Sequence, residues 1–144
     1  MIQEVKERIK SILVSAIDSG VPPQFKIPVE IPTSIEQYKL SHPIGAYLVI
    51  YKGSTYRHKD VKNIVAQDRD IEIMIVVTAR YRSEFTPEQY LDFAIDKLSG
   101  YIMDAKRTDR MIYCSQDEWL GEEAGVWSYA ATFVVPVEFF QEGF

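Results

Sequence analysis

The chain has a single cysteine, Cys114, and only two histidines, His42 and His58. One cysteine excludes an internal disulfide and a multi-cysteine zinc site, and it fits a reducing cytosol. His42 precedes Pro43 and His58 sits in the stretch KGSTYRHK, so neither has the i, i+4 partner of a helical metal site. No apolar run approaches the ~20 residues of a membrane span, and MIQEVKERIK turns charged too soon for a secretory signal. The expectation is a protein of the cytosol with no membrane partner. A formal net charge of −5 without a basic cluster disfavours general affinity for nucleic-acid phosphates. There is no glycine-rich phosphate loop, nucleophile elbow or dinucleotide fingerprint, so no cofactor is expected.

What is present is a strong pattern of strands. In residues 67–82, QDRDIEIMIVVTARYR, Ile71, Ile73, Ile75, Val77, Ala79 and Tyr81 alternate with Asp70, Glu72, Met74, Val76, Thr78 and Arg80. A period of two puts the first set on one apolar face. The second face is acidic at its start, apolar at Met74 and Val76, and basic at Arg80 and Arg82. That predicts a long strand in the middle of a sheet, covered on both faces at its centre. A final strand over 126–140 alternates through Trp127, Tyr129, Ala131, Phe133, Val135, Val137 and Phe139. Shorter strands are expected at 45–51, GAYLVIY, and 110–116, RMIYCSQ. KGSTYRHK is expected to turn at Gly53 and Ser54, and 117–125, DEWLGEEAG, to form an acidic loop.

Two helices accompany them. Ile2, Val5, Ile9, Ile12, Leu13, Ala16 and Ile17 recur at spacings of three and four, the stripe of an amphipathic helix that Gly20, Pro22 and Pro23 end. Thr86, Pro87 and Gln89 supply an N-cap, a first-turn proline and a capping box to a second helix. Its core face carries Leu91, Ala94, Ile95, Leu98 and Ile102, flanked by Tyr90, Phe93 and Tyr101. Between 21 and 43 lie five prolines, and Pro28 and Pro32 confine 26–31 to an edge strand or an extended arm. The whole predicts one domain over 1–144 of the α+β class, a mainly antiparallel sheet of about four to five strands packed against two helices.

Candidate chemistry is sparse. Asp68, Asp70 and Glu72 share a strand face, a spacing that can gather carboxylates for a divalent metal or for acid–base work, and equally describes a solvated strand end. This leaves open a small metal-dependent hydrolase, or a ligand-binding module of a host pathway. Asp117, Glu118, Glu122 and Glu123 surround Trp119 without the ligand spacing of an EF-hand. A tryptophan there is either tucked onto its own domain or an anchor for a protein partner. Cys114, alternating within a strand, fits a small buried hydrophobe better than a nucleophile.

In the order of its elements the chain resembles the tail terminator family of Mu-like phages and prophages. The features that carry the likeness are the N-terminal amphipathic helix, the proline-rich connection, GAYLVIY, QDRDIEIMIVVTARYR, TPEQYLDFAIDKLSGYIM and the closing WSYAATFVVPVEF. The resemblance implies a non-enzymatic, hexameric ring at the head-proximal end of a tail tube. Such a ring stops tube growth and meets the tube protein and the head-completion proteins, in the host cytoplasm during assembly and then in the virion tail. In such a ring, Arg57, Lys59, Arg80, Arg82 and Trp119 are the candidate subunit contacts. Asp68, Asp70, Asp117, Glu118, Glu122 and Glu123 are the candidates for the lumen or a rim, where like charges meet open water.

Overall fold

The computed structural model describes residues 1–19, 27–33, 44–58, 65–81, 85–103 and 110–141, with backbone alone at 57–58, 65–67 and 138–141. The elements run α1 (Ile2–Asp18), β1 (Val29–Glu30), β2 (Gly45–His58), β3 (Val65–Arg80), α2 (Pro87–Leu98), β4 (Tyr113–Glu123) and β5 (Val126–Gln141). The strands form a single five-stranded sheet in the order β1-β2-β3-β5-β4. Every pairing is antiparallel except β1 with β2. The fold is α+β, as the sequence predicts. The expected proline-rich arm lies outside the described residues except at 27–33, where Val29 and Glu30 form a parallel edge strand on Tyr47 and Leu48.

The central strand is the expected one. β3 spans sixteen residues, about 50 Å at ~3.3 Å per residue, and it pairs with β5 along its entire length. Its odd positions Ile71, Ile73, Ile75, Val77 and Ala79 are fully buried beneath the helices. Facing them, α1 contributes Val5, Ile9, Leu13 and Ile17, and α2 contributes Tyr90, Leu91, Ala94 and Leu98. Each fully buried aliphatic side chain of this kind is worth roughly 1.5–3 kcal/mol. α1 packs toward β1 and β2, while α2 packs over β3 and β5. Tyr90 is not a flanking residue as its sequence position suggested but sits at the centre of the core. Its carbonyl accepts a hydrogen bond from the Tyr47 hydroxyl at 2.6 Å, and burial holds Tyr47 far above the usual tyrosine range.

α2 begins as its sequence demands. The Thr86 side chain accepts from the Gln89 amide at 3.3 Å, and the Gln89 side chain accepts from the Thr86 amide at 2.8 Å. The helix stops at Leu98, earlier than its apolar face suggested, and Ile102 instead bridges to Met111.

Two expectations are corrected. The KGSTYRHK stretch does not turn at Gly53 and Ser54; it prolongs β2 to His58, with the register slipping between Tyr51 and Gly53. The 117–125 stretch is not a loop either. Its first seven residues belong to β4, which starts at Tyr113 rather than Arg110. The chain reverses only at Ala124 and Gly125, with φ of 53° and 83°. Two successive residues with positive φ are the signature of the tight hairpin turn whose twist matches its strands.

Gly45 marks a close approach of β2 to β3. A Cβ there would stand 2.6 Å from the Thr78 carbonyl oxygen and 3.0 Å from the Ala79 Cβ. Because the nearest atom is backbone inside the sheet, Gly45→Ala should destabilise the protein by about 1–3 kcal/mol, measured as a lower midpoint of urea unfolding.

Candidate functional site

Three groups of side chains stand out on the sheet. The first lies at the start of β3. Asp68 is held by Arg110 at 3.0 Å, with both side chains largely buried. Asp68, Asp70 and Glu72 do share a strand face, yet Asp68 is already engaged. Among the described residues, no three His, Cys, Asp or Glu side chains come together to hold a metal. Between Asp68 and Asp70, Arg69 turns to the helical face and is buried. Its Nε donates to the Ser54 hydroxyl at 3.1 Å, a second nitrogen lies 3.5 Å from the Tyr51 hydroxyl, and the guanidinium stands 5.2 Å from the centre of the Tyr56 ring. The Tyr51 hydroxyl lies 2.7 Å from that of Ser54 and is held below its ordinary pKa, first by this bond and then by Arg69. Arg69 and Arg110 are thus structural, and the sequence reading missed both. The signal for Arg69 was its odd position in the strand, which period-two alternation assigns to the apolar face.

The second group lies on the face of the sheet away from the helices. Ala46, Leu48, Val76 and Ala130 form a small buried cluster with Ile50 and Met74 packed around it. A cavity of about 710 Å³ adjoins it, lined by Leu48, Ile50, Met74 and Val76 together with Thr78, Arg80, Leu120, Glu122 and Glu123 among others. Arg80 thus lines the same cavity as two of the acids that the sequence reading assigned to a different surface. The Thr78 hydroxyl is buried here with no hydrogen-bond partner among the described residues. An unsatisfied buried hydroxyl costs about 1–3 kcal/mol. Thr78→Val, which keeps the shape and removes the hydroxyl, should therefore raise stability, measurable as a higher unfolding midpoint.

The third group is aromatic. Trp119 on β4 stands 5.9 Å from Trp127 on β5, centre to centre, and Trp127 stands 5.3 Å from Tyr81 just beyond β3. Trp119 and Tyr81 are 57% and 48% exposed, so Trp119 is not tucked into its own domain. Beside them the Tyr129 hydroxyl donates to Glu88, in the first turn of α2, at 2.6 Å. That bond is the chief reason Glu88 lies below its ordinary pKa and Tyr129 is pushed up to about 12.

Asp117, Glu118, Glu122 and Glu123 are all exposed, and none makes an ion pair among the described residues. Glu122 accepts from the Gly125 amide at 2.7 Å across the hairpin turn. Cys114 is half-buried, its thiol raised chiefly by burial. Lys59 and Arg82 lie outside the described residues, as do the side chains of Arg57 and His58.

The Tyr129–Glu88 bond carries a pH signature. Glu88, with a lowered folded pKa, stabilises the fold above its ordinary value of 4.5 and loses this as pH falls through the depressed folded value. Tyr129, with a raised pKa, contributes below its ordinary 10.0, and that contribution is lost as pH rises toward about 12. Since the pair is partly exposed, Tyr129→Phe should cost only about 0.5–1.5 kcal/mol near neutrality. Stability curves of the two proteins should converge below pH 4.5 and above pH 10.

The sequence model of the Gp37 protein family matches residues 18–143. No curated protein matches the chain.

Proposed function

The chain belongs to the Gp37 protein family, a family of phage proteins, and from that premise we propose that it is a tail terminator. In this reading it closes into a hexameric ring at the head-proximal end of the tail tube, halts tube polymerisation, and presents a surface to the head-completion proteins. It works without a cofactor or catalytic residues, in the host cytoplasm during assembly and afterwards in the virion tail.

The observation that carries the reading is the exposure of β4. Among its eleven residues only Cys114 and Gly121 are partly covered, and Trp119, Leu120 and Tyr113 are about half exposed or more. A strand with that much apolar and aromatic surface at the edge of a sheet is a liability in an isolated subunit. In a closed ring it is covered, because heterologous contacts terminate when the ring closes. The alternative of a metal-dependent hydrolase is weakened by Arg110, which occupies Asp68.

Purified protein mixed with tail tubes should appear in electron micrographs as a cap at one end, and tubes grown in its presence should be shorter. Tubes that grow unchanged, with bare ends at every protein concentration, would rule the terminator role out.

A further inference from the structure

The aromatic row on β4 and β5 has a chemical character that selects its partner. Trp119, Trp127 and Tyr81 form a continuous ladder across three strands, with centres 5.9 and 5.3 Å apart. Register places Asp117 opposite Ala131, Trp119 opposite Tyr129 and Glu122 opposite Trp127. Alternating positions of β5 from Trp127 to Ala131 share the helical face, so acids flank the ladder on both sides along β4. An aromatic face fenced by carboxylates that make no ion pair among the described residues fits a cationic side chain, whose alkyl stem packs on the rings while its charge meets both the ring faces and the acids.

The same chain carries such cations at the opposite edge of its sheet. Lys6 and Lys10 stand one turn apart on α1, which packs toward β1 and β2, and Lys52 is exposed on β2. None of the three makes an ion pair among the described residues. Because the sheet order is β1-β2-β3-β5-β4, the acid-fenced ladder and these lysines lie at its two ends and cannot meet within one subunit. Exposed ion pairs alone would be weak, at about 0–1 kcal/mol each. Covering the exposed Trp119 at the junction supplies the strength, and the charges set which surfaces meet.

We propose that the ladder of Trp119, Trp127 and Tyr81 is the docking surface for a second copy of this chain, presented by its Lys6, Lys10 and Lys52 side, in a head-to-tail contact. This rests on the ring reading and specifies which surfaces make each junction.

Two variants test it by sedimentation velocity at low and high salt. One joins Asp117→Lys to Trp119→Ala; the other joins Lys6→Glu, Lys10→Glu and Lys52→Glu. All five positions lie outside the buried core, and circular dichroism with thermal melting verifies that both variants fold. Each variant alone should need at least about tenfold more protein to assemble than the wild type. An equimolar mixture should stop at dimers, since one variant keeps a working lysine side, the other a working ladder, and only one junction per pair is intact. Trp119→Tyr should assemble as the wild type does. Either charge variant assembling like the wild type, or a mixture that stays monomeric, would overturn the proposal while leaving the ring standing. A wild-type chain that remains monomeric at every concentration and never caps tubes would instead bring down the ring reading and this contact with it.

Discussion

Everything in this molecule hangs on the two-sided burial of β3. Its odd residues close the core beneath the helices. Its even residues Met74, Val76 and Thr78 are covered or half-covered on the other face, the first two in a second cluster with Leu48 and Ala130. A strand buried on both faces has its register set twice, because a slip of one residue would exchange the two sets at once. β5 is pinned to it by an unbroken ladder, and β2 by a ladder with a single slip between Tyr51 and Gly53. The helices then have a fixed floor, against which the stripe of α1 and the capped α2 can dock.

The two edges of the sheet differ, and that difference gives the molecule its direction. At one edge the two-residue β1 is followed outward by no further strand among the described residues, and α1 lies over this side. At the other, β4 runs for eleven residues with little cover, carrying four acids and two register shifts. Charge and bulges are common ways of discouraging an open strand from pairing with any passing edge. Trp119 and its neighbours remain available on the face of that strand, where contact depends on side chains and not on an unpaired backbone. An edge guarded against promiscuous pairing yet furnished with aromatic anchors suits a specific partner.

The sequence revealed the elements whose periodicity is uninterrupted. α1, α2, β3 and β5 keep one period throughout, and the capping box at Thr86 appears as Thr, Pro and Gln in the expected places. The outer parts of β4 and of β2, beyond the strands expected at 110–116 and 45–51, stayed hidden for one physical reason. Register shifts at Cys114/Gln116, Trp119/Gly121 and Tyr51/Gly53 insert residues that break the alternation, and the glycines and acids beside them imitate a loop. Tyr90 was placed on the flank by its position beside the stripe of Leu91, Ala94 and Leu98, whereas here the Tyr47 and Tyr90 rings meet edge to face inside the core. Of the candidate site, Trp119 and its acids were visible as a cluster. Their juxtaposition with Trp127 and Tyr81, which turns a single exposed tryptophan into a ladder, depends on a pairing register that no local pattern contains. The resemblance to tail terminators and the membership in the Gp37 protein family converge on a phage protein, and the terminator role is the sharper reading laid upon it.

The central claim is that the β4–β5 hairpin is a surface kept for assembly. Hydrogen–deuterium exchange, compared between the free subunit and the assembled form, tests it most directly. The account predicts that amides of β4 from Asp117 to Glu123 exchange quickly in the free protein and become strongly protected on assembly, while those of β3 are slow in both. Unchanged exchange along β4, with new protection confined to other elements, would contradict it.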